Sequence, residues 1–169
     1  MDLMVASEPI AVGPVVPGQT GRNTMTITND GDVAGTLSVV ATDFVDYENY
    51  CVEPEKIEGA DPSCTLNDTA AKAIDGTPAH PFVGAGNGEL SQFITVQFDI
   101  DGAPVSPVMP LSALISASTP IAIPGTIAAG SSVTVGVTWT VSDSTTPFAD
   151  NIFMTDAVVG NFDLLLTQN

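Results

Sequence analysis

The chain has 169 residues, enough for one domain with a substantial core and too few for two ordinary ones. Hydrophobic residues make up 44% of it, so it is expected to fold rather than stay disordered. Twenty acidic residues stand against three basic ones, Arg22, Lys56 and Lys72, for a net charge of −17, which argues against nucleic acid or an anionic membrane surface as partner and opposes self-association unless salt or divalent cations screen it.

In chain order, DLMVASEPIAV (2–12) reads as one strand, or as two broken at Pro9. VVPGQT (15–20) reads as a turn, and TMTITN places Met25 and Ile27 on one face with Thr24, Thr26 and Thr28 on the other. NDGD (29–32) reads as a tight hairpin needing positive φ, with the start of a calcium loop as the competing reading. TLSVVATDF (36–44) is the next strand, and a long acidic insertion occupies 45–90. QFITVQFDI (92–100) resumes the strands. Five prolines, at 104, 107, 110, 120 and 124, break up 101–126, where LSALISA (111–117) suits one helical turn or a short strand. SSVTVGVTWTVSD gives the clearest alternation, with Val133, Val135, Val137, Trp139 and Val141 facing one side. NFDLLLTQ (161–168) is the last strand. Period two throughout, with no amphipathic helix of any length, predicts an all-β, antiparallel β-sandwich in one domain, 1–169.

Cys51 and Cys64 bracket twelve residues. Zinc wants clustered Cys and His, and the only histidine is His80, so a disulfide is expected, and with it an oxidising compartment and export. No run of 18 apolar residues exists to span a membrane. Met1-Asp2-Leu3 lacks the basic start of a signal peptide, so the chain reads as a mature or trimmed form. Asn67-Asp68-Thr69 is the only glycosylation sequon.

The run Asp43, Asp46, Glu48, Glu53, Glu55, Glu58 and Asp61 is rich in the oxygens calcium takes, yet keeps no Asp-x-Asp-x-Asp-Gly register. Asp30, Asp32, Asp46, Glu48, Glu53 and Glu55 are the calcium candidates, with a solvated acidic face as the alternative; no cofactor is required. Enzyme chemistry is not expected. One His offers no triad, no Gly-x-Ser-x-Gly, His-Glu-x-x-His or Walker loop is present, and aromatics to hold a sugar are only 6%.

Taken in order, DLMV, VVPGQTGRNTMTITNDGDVAGTLSV, DYENYCVEPE, GELSQFITVQFDIDG, IAAGSSVTVGVTWTV and FDLLLTQ resemble the TasA/camelysin family, and its archaeal members most, subunits of bundling pili among them. The resemblance spans nearly the whole chain and rests on the order of several weak motifs. Asp2-Leu3 matches the family's opening strand, Pro17-Gly18-Gln19 its turn, and Asn29-Asp30-Gly31 its hairpin. It implies a jelly-roll-like sandwich, secreted to the cell surface. It also implies a structural subunit of an extracellular filament or pilus, in biofilm or cell–cell adhesion, with copies of itself as partners. Assembly in that family is head-to-tail donor-strand complementation, a form of β-augmentation. The family's donor lies upstream of the opening strand; here either it has been removed, or 1–12 serves, with Met1, Asp2, Leu3, Met4, Val5 and Ala6 as donor residues. The alternative function is a calcium- or carbohydrate-binding adhesin module.

Overall fold

The computed structural model describes residues 2–58, 61–144 and 151–168, apart from the side chains of 2–5 and 58. Nine strands form: β1 Asp2–Val12, β2 Thr20–Thr28, β3 Gly35–Tyr47, β4 Ile94–Ile100, β5 Ala103–Pro104, β6 Met109–Pro110, β7 Ile121–Ile127, β8 Ser132–Val141 and β9 Ala157–Gln168. Among the described residues three short α-helices join them: α1 Asp68–Ala71, α2 Leu90–Phe93 and α3 Leu111–Ile115. One sheet has the order β1-β9-β3-β7 and the other β2-β8-β4-β5, with β6 also on β4, and all pairings are antiparallel. Successive long strands alternate between the two sheets, which is the jelly-roll arrangement.

The alternating pattern places the core between the sheets. Ile27, Val96, Phe98, Val135 and Val137 come from one inner face and Val39, Ile123, Phe162 and Leu164 from the other, all almost fully buried. Phe162 meets Phe98 edge-on at 5.9 Å and Phe44 at 5.3 Å. Met25 and Ile27 point in and Thr24, Thr26 and Thr28 point out, as the sequence predicts. The segment 111–117 takes the helical option over Leu111–Ile115.

Three local readings change. β7 forms despite Pro124, because it is an edge strand: its ladder with β3 slips between Thr36 and Leu37, and an edge tolerates a missing N–H. NDGD is not a hairpin, since β2 and β3 lie in different sheets and Gly31 has no positive φ. The side chain of buried Asn29 holds this corner. Its Nδ2 donates to Val33 O (2.8 Å) and Ile127 O (3.0 Å), and its Oδ1 accepts from Gly31 N (3.1 Å). The Pro17-Gly18 turn is present, with Gln19 N donating to Val16 O and Gly18 at φ 75°, a type II turn. Gly21, whose glycine also suits that turn from sequence, is not part of it but lies within β2, pressed against the Trp139 ring.

Candidate assembly edge and acidic centre

A sandwich must protect the backbone groups along its sheet edges. Three of the edges here carry such protection. β1 contains Pro9 and a register shift between Met4 and Ala6. β7 contains Pro124 and the slip against β3. β5 and β6, on the far side of β4, are two residues each and end in proline. β2 differs: nine residues without proline, in unbroken register on β8 from Thr20↔Thr140 to Thr28↔Ser132. Its outer side pairs with no strand among the described residues. It also holds no acidic residue and one of the three basic ones.

That residue, Arg22, reaches across β8 over Gly136 to Asp99 on β4. Its Nη2 lies 2.7 Å from Oδ1, and its Nε donates to Oδ2 at 3.0 Å. The Arg22 bond holds the Asp99 carboxyl below its usual range. Residues 2–6, the expected donor, lie in β1 and pair with β9 of their own chain; Met1 lies outside the described residues.

The second feature is built by four segments far apart in sequence. β3 ends at Tyr47, and Glu48 follows, its N–H bonded to Gly84 O. Asn49 and Tyr50 then adopt left-handed conformations, at φ 53° and 65°. Asn49 is locked there: its Nδ2 donates to Thr155 O (3.1 Å) and its Oδ1 accepts from Val83 N (2.9 Å). The Cys51–Cys64 disulfide closes the next loop and so returns the chain to this place with Asp61 and Ser63. Glu89 arrives just before α2, and Asp156 just before β9.

Glu48, Asp61 and Asp156 are 4%, 2% and 0% exposed. One carboxylate oxygen from each of Glu48, Asp61 and Glu89 lies within 4.8 Å of the others. Glu48, Asp61 and Asp156 each have one oxygen tied down. Ser63 Oγ donates to Glu48 Oε2 (2.7 Å) and Asp61 Oδ1 (2.8 Å), and Glu89 N donates to Asp156 Oδ2 (2.7 Å). A Cβ at Gly88 would crowd Tyr47 O and Asp156 Oδ2, so the absence of a side chain lets Asp156 in. The remaining oxygens, Glu48 Oε1, Asp61 Oδ2, Glu89 Oε2 and Asp156 Oδ1, are buried with no hydrogen-bond partner.

Burial pushes Glu48 up to about 8, and Asp61, Glu89 and Glu55 add to it against the Ser63 bond. Burial likewise raises Glu89 to about 7 and Asp156 to about 9, with neighbouring carboxylates acting in the same sense. Among the described residues the one ion pair is Arg22–Asp99, so no such pair offsets this charge.

The sequence candidates divide accordingly. Glu48 sits at the centre. Glu55 is buried beside it in a π-helical turn (Pro54–Glu58), its carboxylate satisfied by Val52 N and Thr155 N, both at 2.7 Å. It thus braces the site rather than opening into it. Asp46 is half-buried and bound by Ser91 N and Oγ. Asp30, Asp32 and Glu53 are exposed and do not join the group. Cys51 and Cys64 form the expected disulfide. Asn67 is exposed, capping α1 through Ala70 N. Glu89 and Asp156 were absent from the acidic run. The one trace of Asp156 in the sequence is a carboxylate set among apolar residues in IFMTDAVV.

No protein-family model matches the chain, and no curated protein matches it in sequence.

Proposed function

We propose that this protein is a structural subunit of an extracellular filament, joined head to tail by strand addition between copies. The observation that carries the reading is the β2 edge, among the described residues the one long sheet edge with no proline and no break in register, its single charge, Arg22, being turned across the sheet to Asp99. A head-to-tail contact of this kind repeats into an open polymer. The added strand is residues 1–8 of a neighbouring copy. Pro9 is the first residue of β1 without an N–H to give a new ladder, and the slip at Met4/Ala6 already weakens the hold of the preceding stretch on β9. β9 would keep its place through its second ladder, to β3. Charge supports the same edge, because β2 is free of acidic residues in a chain of net −17. The disulfide supports an oxidising, extracellular setting, and no helix among the described residues is long and apolar enough to cross a membrane.

Negative-stain microscopy across a salt series tests this. Filaments are expected from the unmodified chain, and none from Thr24→Lys/Thr26→Lys, which places charge along the open edge while leaving the melting temperature unchanged. A chain that stays monomeric at every salt and calcium concentration, or lysine variants that polymerise normally, would overturn it.

A further inference from the structure

We propose that Glu48, Asp61 and Glu89 form a calcium site, with Asp156 buried beside it, that ties the disulfide-closed insertion to the ends of β3 and β9. Four buried acceptor oxygens with no donor are the primary observation. An unsatisfied buried polar atom costs about 1–3 kcal/mol, more if charged, and Glu48, Asp61 and Glu89 bring such acids within 4.8 Å of one another, so they call for a common partner. A proton shared between two carboxyls joins only one pair, whereas one cation draws the oxygens of Glu48, Asp61 and Glu89 together.

The donor set selects the ion. Every available ligand is a carboxylate oxygen, both cysteines are consumed in the disulfide, and His80 is exposed in a separate turn bridged to Thr77. Soft and borderline metals are therefore poorly matched. Calcium–oxygen distances are about 2.3–2.6 Å, so its coordination sphere is roughly 5 Å across. Oxygens of Glu48, Asp61 and Glu89 within 4.8 Å of one another fit that sphere. Magnesium demands a tighter octahedron and holds on to its waters, which a set of protein carboxylates would have to strip away. Ser63 orients two of the ligands, as outer-shell partners of metal sites do. A cleft of about 200 Å³, lined by Glu48, Tyr50 and Ser63, leads in from solvent.

This site does not depend on strand exchange, and its test can be run on the Thr24→Lys/Thr26→Lys chain, which keeps the two ideas separate. The chelator-treated protein is titrated with calcium, by calorimetry and by displacement of terbium whose emission is sensitised by Tyr50. The expected result is one calcium per chain, with Kd tighter than about 10⁻⁴ M, the tight end for extracellular modules. Binding should persist at about 1 M NaCl, where the Debye length is about 3 Å, and magnesium should not replace calcium. Glu48→Gln and Asp61→Asn should each abolish it, and Asp30→Asn should leave it intact. Should those variants fail to fold, Ser63→Ala decides, with an expected loss of about 10–100-fold. Absence of saturable binding, an effect matched by magnesium or erased by salt, or unchanged affinity in Ser63→Ala overturns the proposal.

Discussion

Asp99 and Asp156 are both buried aspartates, and they move in opposite directions. Asp99 faces Arg22 across the outer surface of the five-stranded sheet and takes a further hydrogen bond from Gly102 N (2.9 Å). Its carboxyl is held low and its charge is stabilised. Asp156 has one backbone donor and otherwise faces acids, and it is held high, at about 9. Burial dominates at Asp156, with neighbouring acids acting in the same sense, whereas at Asp99 the Arg22 bond outweighs a smaller cost of burial. The sheet surface is a completed piece of electrostatics, whereas the acidic centre is an incomplete one.

The contrast breaks most sharply with pH. In chelated protein, Glu48, Glu89 and Asp156 hold protons in the folded state at pH values where the unfolded chain has released them. The stability they contribute is therefore complete below about pH 4 and is lost as pH rises through about 7 to 9. Melting temperatures of the calcium-free protein should fall steadily across that window, with three groups acting together. Glu48→Gln should flatten the curve, and a flat curve in the unmodified chain would contradict the raised values. Asp99 titrates in the opposite sense, so its contribution is lost only on going to acid.

The next largest effect separates the sandwich from the insertion. Phe162→Ala removes a ring packed between Phe44 and Phe98, and should cost about 3–5 kcal/mol in denaturant unfolding. That loss should be the same with and without calcium. Replacing Cys51 and Cys64 together by serine opens a loop of 13-residue separation, at a cost of about 3 kcal/mol on the chain-entropy model. This loss should come with weakened calcium binding, because Asp61 lies within the loop; equal calcium affinity would detach the disulfide from the site. The smallest effect is Asn67→Ala, which removes the α1 cap and the sequon together. About 0.5–1 kcal/mol is expected by chemical denaturation, with calcium binding intact.

The same division explains what the sequence disclosed. β8 and β2 were legible because a period of two reports one dry and one wet face, and Val135, Val137, Met25 and Ile27 obey it. β7 was hidden because Pro124 reads as a breaker unless the strand is known to be an edge. NDGD misled because Asn-Asp-Gly serves equally as a hairpin or as a corner between sheets. What distinguishes them is the contact of Asn29 with Ile127, 98 residues away. Glu48 and Asp61 stood out within an acidic run. Asp156 did not, since its meeting with Glu89 spans 67 residues and arises only once β9 is in place.

The pairing of β1 with β9 sets a condition on how the molecule comes into being. Val12 lies opposite Val158, and Leu3 opposite Leu166, so the first strand finds its cis partner only in the last one. β3 and β7 leave the same sheet waiting for β9 between β3 and β1. A chain emerging N-terminus first from a ribosome or a translocation channel therefore cannot close this sheet until β9 has emerged. Such long-range strand pairing is slow, and the interval leaves β1 without its own partner. On the filament reading proposed above, that interval is when a neighbouring copy would compete for the same strand.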